Sequence, residues 1–548
     1  MNTLATNRSR SFVPAGWCLA AVALAAILCW SGAAIADKPA TEDAAQNPAQ
    51  QEVSGREIFL REWMVNDSRS HGGDGLGPVF NDTSCIACHN QGGAGGGGPA
   101  SKNVEILSAT SHSGPRMVVP QQPTPGEQFV RSMFGLQEQQ RQFDSEVIRR
   151  RQEAARKHLA KIHPGFQSAG SVVLHRFGID PKYATWRQQL INGHGHVQHF
   201  NAVTNVAAVD MLVDGPQTAE AQPESDLQKL QRATQEIQRI RSELGQVQFT
   251  KTSFVDGATL TLTERNAISL FGAGLIDSIP DVAIEAAANA KHEGFPEISG
   301  RVSRLKDGRI GRFGWKAQKA TLYDFTMTAC AVELGLHVPD HPQAGTPLDP
   351  EYRTASFDLN QDECNALVDY LKNLPAPEMT PPANDNHAEY LAGGQKLFAS
   401  VGCATCHTEQ MGDVVGVYSD LLVHDMGNDL VDTGDYGSFT PTPDTAEDFI
   451  EEVAEADEGD QSRLSGIRVV GATRQEWRTA PLWGVRDSAP YLHDGRAETL
   501  EQAIAFHGGE SAGSAQKYFM LTSEERQQVL AFLRSLTAPS PDRLASAR

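Results

Sequence analysis

The sequence predicts a mostly α-helical chain in which one helical unit occurs twice in tandem, enlarged by helical and loop insertions. Three observations carry that expectation. Fragments recur in the same order in both halves. Gly55-Arg56-Glu57-Ile58-Phe59 is answered by Gly394-Gln395-Lys396-Leu397-Phe398, and Arg265-Asn266-Ala267 with Leu270-Phe271-Gly272 by Arg478-Thr479-Ala480 with Leu482-Trp483-Gly484. Leu359 to Pro377 aligns without a gap on Leu521 to Pro539, and such ordered repetition marks an internal duplication. In that last pair Leu367, Leu371 and Leu374, like Val529, Leu533 and Leu536, are spaced as one face of an amphipathic helix, followed by proline as a stop. The third observation is a Cys-x-x-Cys-His run in each copy, Cys85-Ile86-Ala87-Cys88-His89 and Cys403-Ala404-Thr405-Cys406-His407.

Two thiols at i and i+3 can form thioethers with the vinyl groups of one porphyrin, and the adjacent histidine can reach the iron. At this chain's own Cys and His frequencies one such run is expected by chance in about 0.004 of chains of this length. A zinc site or a reducible disulfide would use the same Cys-x-x-Cys pair, but zinc usually needs a second Cys/His pair nearby, and neither run has a convincing one. Two covalently bound haem c groups are therefore expected, attached at Cys85, Cys88, Cys403 and Cys406, with His89 and His407 as iron ligands. Each copy then reads as a cytochrome c-like domain.

In chain order, residues 1–36 read as a signal peptide: Arg8 and Arg10, an apolar run from Trp17 to Trp30, then Ala34-Ile35-Ala36 before Asp37. An uncleaved membrane anchor is the alternative and the only route to membrane contact. Residues 37–54 follow as a flexible segment and 55–374 as the first haem domain. Its insertions span about 120–250, where Gln121 to Ile162 and Gln217 to Gln248 read as charged or Gln-rich helices without a chemical motif. The linker is 375–386, with four prolines, and the second haem domain is 387–540. Gly92 to Gly98 reads as a flexible loop whose glycines would let backbone pass close over a haem edge.

Export to a bacterial periplasm fits thioether attachment, which is completed outside the cytoplasm. Of eight cysteines, Cys18 and Cys29 leave with the signal, four hold haem, and Cys330 and Cys364 remain, as one disulfide or as two buried thiols. A net charge of −21 excludes nucleic acid as a partner, since no basic patch is present to neutralise phosphates. An acidic insertion at about 430–465, densest from Asp444 to Asp460, reads as solvated chain that could steer a small basic redox protein.

Phe80-Asn81 with the first haem motif, Arg265 to Asp281, Asp307 to Gln318, Ser419 to Gly427 and Ala480 to Ser511 together resemble the bacterial di-haem oxidoreductase family, whose members are named peroxidases or thiol oxidoreductases. More distantly they resemble the di-haem cytochrome c peroxidases. The resemblance implies an inter-haem relay at Trp315, seven residues before Leu322; His493 and Leu500 repeat that separation in the second copy. A packed tryptophan with a bonded indole is the bland alternative.

The peroxidases carry a methionine ligand fourteen residues beyond the histidine of an HDG-like motif, and here that position is His507. Imidazole in place of thioether lowers haem potential. Met426 and His424 compete as ligands, and the bland alternative for His507 is a helix cap beside Gly508-Gly509. No distal ligand for the first iron stands at a convincing spacing; His71, His112, His194, His196 and His199 are candidates, each more often an ordinary histidine. An open position there would bind hydrogen peroxide or a similar small oxidant, with Glu333, eighteen residues beyond Trp315, as general acid/base. Calcium is a further candidate through the carbonyls of Ser488 and Pro490, without an evident asparagine partner near Gly272.

The implied function is an oxidoreductase that moves electrons from the C-terminal haem through Trp315 to the N-terminal haem. The alternatives are an electron carrier with two six-coordinate haems, or oxidation of a protein substrate. Thiol chemistry has no free reactive cysteine behind it.

Overall fold

Two glycines at matching positions set how each copy closes on itself. The computed structural model describes residues 53–111, 153–167, 169–192, 224–245, 251–255, 258–432, 434, 436 and 471–547. Its principal helices are α1 (Gly55–Leu60), α2 (Asp226–Gly245), α3 (Leu322–Glu333), α4 (Gln361–Lys372), α5 (Asp385–Ser400), α6 (Leu500–Ala505), α7 (Ala512–Met520) and α8 (Ser523–Ser535). In the first copy α1 packs on α4, and in the second α5 packs on α8.

A Cβ on Gly55 would lie 1.8 Å from the Ala366 carbonyl oxygen, and one on Gly394 would lie 2.0 Å from that of Gln528. Ala366 and Gln528 are aligned residues of the two closing helices, so the duplication preserves a backbone-to-backbone crossing that only glycine permits. Both closing helices also start with a capping box, Asn360 with Glu363 and Thr522 with Glu525. Gly394→Ala is expected to cost about 3 kcal/mol, the upper end of the usual overpacking range, since backbone and not a pliable side chain must give way. Chemical denaturation followed through the haem absorption checks it.

The chain is mostly helical, as expected, but its two cores are interlocked. The first core, around Phe59, Leu322, Leu367 and Leu371, takes in Met411, Val417 and Leu421 from the chain beyond the second haem motif. The second, around Phe398, Phe519, Val529 and Phe532, takes in Ala233, Ile237 and Ile240 of α2. Helix α2 belongs to the insertion of the first copy. The tandem boundary at 375–386 thus separates the copies in sequence only, and the linker itself pairs Glu378–Met379 with Leu536–Thr537.

What the sequence reading did not expect is an antiparallel sheet, formed by one strand of the insertion and three strands of the chain that flanks it. Strands β1 (Val104–Ser111), β2 (Ser171–Val173), β3 (Lys251–Val255) and β4 (Ala258–Arg265) are ordered β2-β1-β4-β3. They cover a small core of Phe166, Leu174 and Leu260. The alternation Thr259-Leu260-Thr261-Leu262-Thr263 is the period-2 signal of a half-buried strand.

Cys330 and Cys364 lie buried in the first core as separate free thiols, so the bridge is not formed. No helix among the described residues is long and apolar enough to cross a membrane. The expected signal peptide lies outside the described residues, as do His112, His194, His196, His199 and the densest part of the acidic run.

Candidate haem centres

Each Cys-x-x-Cys-His run opens onto a cavity, and in both the proximal imidazole is held by a backbone carbonyl. His89 follows the one-turn helix Cys85–Cys88, and its Nδ1 donates to Gly96 O (3.1 Å). The glycine run supplies that carbonyl by folding back, with Gly95 N donating to His89 O (3.0 Å) and Gly92, Gly93 and Gly95 at positive φ. His407 Nδ1 donates to Tyr418 O (3.0 Å). Binding Nδ1 to a carbonyl fixes the tautomer and leaves Nε2 as the metal-binding nitrogen.

His507 stands across the second cavity from His407, with ring centres 6.5 Å apart and planes at 50°. Its Nδ1 is likewise held, by Ala503 O (2.9 Å). Two imidazole nitrogens about 2 Å from one shared metal put their ring centres about 6 Å apart, so this pair fits an iron between them. Burial pushes both rings towards the neutral, ligating form; His407 is brought down to about 4, with His507 as the next cause.

The competing ligands are placed differently. Met426 lines the same cavity, but its sulfur accepts the Ser511 hydroxyl (3.6 Å). His424 has both nitrogens engaged, Nε2 with Asp420 (3.0 Å) and Nδ1 with Glu510 (2.9 Å). Burial works against its charge, yet Asp420, Cys406 and Glu510 together push it up to about 12, which leaves no lone pair for a metal. His71 pairs with Glu363 (2.6 Å) and Asn360, away from the lining of the first cavity.

Within the first cavity, α3 forms one wall through Thr326, Ala329, Cys330 and Glu333. Thr321 and Thr499 are the N-caps of α3 and α6, and Ala329 and His507 each follow eight residues later. The first copy therefore has a methyl group where the second has an imidazole, and a carboxylate one turn further on. Glu333 Oε2 accepts from Asn81 Nδ2 (2.7 Å), while its buried Oε1 has no hydrogen-bond partner. Asn81 is fixed in turn, because Arg176 N donates to its Oδ1 (2.9 Å) and its own N–H donates to Glu333 O (2.7 Å). Burial pushes the Glu333 carboxyl above its ordinary range, with Asn81 and the neighbouring Tyr436 hydroxyl acting against it.

Trp315 is part of the wall shared by both cavities, together with Asn266, Ala267, Ile268, Leu270 and Phe325. Its Nε1 donates to Asn266 O (2.9 Å), and its carbonyl accepts from Arg478 N (2.9 Å). His493, its counterpart, is turned into a stack on Trp477, centres 3.7 Å apart and 15° from parallel.

Several features of these sites were not foreseen. Arg241 of α2 donates to Ala505 O (2.6 Å) and His507 O (3.4 Å) and pairs with Asp429 (2.6 Å), so the insertion clamps the backbone that carries His507. No local signal in the sequence of α2 reveals this. The expected boundary of the acidic insertion at about 430 is corrected: Leu430 and Asp432 are 2% and 5% exposed, and Tyr436 lines the first cavity. Beside the carbonyls expected for calcium, Gln91 Nε2 donates to Ala489 O (2.6 Å), so protein atoms bridge the copies there.

Two adjoining cavities, each behind a Cys-x-x-Cys-His run and divided by a tryptophan, define a di-haem protein. Residues 247–438 and 457–536 match the model of the family described as "Di-haem oxidoreductase, putative peroxidase", and the chain belongs to that family. It is 28% identical over 202 residues to hydrazine synthase subunit gamma of Kuenenia stuttgartiensis, covering 34% of this chain and 53% of that one. It is 24% identical over 148 residues to cytochrome c551 peroxidase of Pseudomonas aeruginosa, covering 27% and 34% respectively. The chain thus spans about half or less of the length of these relatives. Among solved structures, a MauG-like protein associated with microbial copper homeostasis aligns over 49% of this chain and 93% of its own, at 17% identity and a TM-score of 0.25.

Proposed function

We propose that the protein is an exported, periplasmic di-haem c oxidoreductase that reduces hydrogen peroxide or a similar small oxidant at the first haem with electrons received at the second. Cys85 and Cys88, and Cys403 and Cys406, attach the two haems, and His89 and His407 ligate them. When bound, the haems supply one-electron redox chemistry and, at an open iron position, a site for the oxidant. His507 completes the second centre. Trp315 bridges the two cavities as the electron relay. Glu333 moves the proton between the oxidant's oxygens, for which its unpartnered Oε1 is placed. A small redox protein delivers the electrons.

The observation that carries this reading is the shared wall: one indole borders both cavities, and among the described residues the first cavity alone contains a buried carboxylate oxygen without a partner. Electron paramagnetic resonance of the oxidised and half-reduced holoprotein tests it. A high-spin signal that peroxide consumes is expected, and two low-spin signals indifferent to peroxide would refute it. That second outcome is the one expected of a pure electron carrier, a reading favoured by the facing His407 and His507 rings alone. Trp315→Phe is expected to slow inter-haem electron transfer at least about tenfold, with both haem spectra unchanged; flash reduction of one centre gives the rate.

A further inference from the structure

We propose that Tyr436 is a second distal residue of the first haem, a hydrogen-bond donor to a small anion or peroxide bound at the iron. The inference rests on the reading above that this iron has an open position. Its basis is how Leu430, Asp432, Gly434 and Tyr436, which belong to the second copy, are held beside the first cavity.

Four attachments hold them. Leu430 is buried beside Trp477 and Phe506, and its carbonyl accepts from Trp477 Nε1 (2.9 Å). Asp432 N donates to Arg474 O (3.1 Å), and the Asp432 carboxylate forms a buried ion pair with Arg265. Arg265 also donates to Gly434 O (2.5 Å), and Gly434 N returns to Asp432 Oδ1 (2.6 Å). At the end, Tyr436 O accepts from Gln318 Nε2 (3.4 Å), and its ring packs against Phe325, centres 6.2 Å apart. Arg265 directly precedes Asn266 and Ala267 of the shared wall, so these residues are pinned where the two cavities meet.

The result is a phenol that lines the first cavity with Cys88, Ala329 and Glu333 and stands beside the Glu333 carboxylate. Burial, then Glu333, to whose carboxylate the hydroxyl donates, pushes the phenol well above its ordinary range, so it keeps its proton at neutral pH, and an anion bound at the iron would take over that hydrogen bond. The two groups then divide the work. A carboxylate accepts and returns a proton, whereas a neutral phenol stabilises negative charge on a bound oxygen without changing its own protonation. Neither the duplication nor the resemblance points to Tyr436, which lies outside the fragments that carry either.

Fluoride titration of the oxidised holoprotein, followed by absorption and electron paramagnetic resonance, tests the inference without requiring turnover. Tyr436→Phe keeps the ring against Phe325 and removes only the donor. It is expected to weaken fluoride binding at the first iron at least about tenfold, the loss of one hydrogen bond to a charged group, with haem content and the second haem's signal unchanged. Equal affinity in wild type and Tyr436→Phe overturns the role of Tyr436 while leaving the open position intact. A high-spin iron that emerges only in the variant also overturns it, since the phenol would then be a ligand. Wild type that binds no fluoride overturns the open position itself, and this inference with it.

Discussion

Glu333→Gln is expected to lower peroxide-driven turnover at least about a hundredfold, the lower end of what a positioned acid/base contributes. The substitution keeps the shape of the side chain and its oxygen for Asn81 Nδ2, so the wall of α3 stays in place. What it removes is a group able to take a proton from one peroxide oxygen and give it to the other. Because burial raises this carboxyl, its inflection should lie above the ordinary carboxylate range. The basic form is the working form, so the rate should fall as pH drops through that inflection and hold above it. In Glu333→Gln the inflection should vanish along with the rate. Steady-state peroxide consumption across the acidic and neutral range measures both; a variant with undiminished turnover would remove Glu333 from the chemistry.

His507→Ala should abolish the low-spin signal of the second haem and leave an iron open to exogenous ligands. The facing rings of His407 and His507, at 6.5 Å, are the reason. His507→Met should restore six-coordination with a thioether and raise the reduction potential, since thioether ligation stabilises the reduced iron relative to imidazole. Met426→Leu should leave the signal as it is. A low-spin signal that survives His507→Ala but disappears in Met426→Leu would reverse the assignment.

Much of this arrangement was legible because duplication converts one observation into two. The alignment of Leu359–Pro377 on Leu521–Pro539 already contained the glycine crossings, as Gly55 and Gly394 meet Ala366 and Gln528. The separation shared by Trp315 with Leu322 and His493 with Leu500 is matched in the structure, where Leu322 and Leu500 open α3 and α6. The sheet has a local trace in the alternation at Thr259 to Thr263, but its pairing joins strands far apart in sequence, which no local pattern specifies. Compartment alone left Cys330 and Cys364 open between one disulfide and two buried thiols, because it says nothing about whether the two thiols approach one another.

Haem attachment is local chemistry: two thiols and an imidazole within five residues suffice, so the proposed haem sites and their proximal histidines are legible in the sequence alone. The placement of everything else around the irons needed tertiary structure, because those groups meet across long separations. His507 reaches His407 from 100 residues away, Asn81 reaches Glu333 from 252, and Arg241 of one copy's insertion holds the His507 backbone of the other. Tyr436 stands at the first cavity on a segment that a buried ion pair between Arg265 and Asp432 helps to hold. A buried pair must satisfy its charge within the fold, and it thereby fixes a path that composition alone reads as solvated chain.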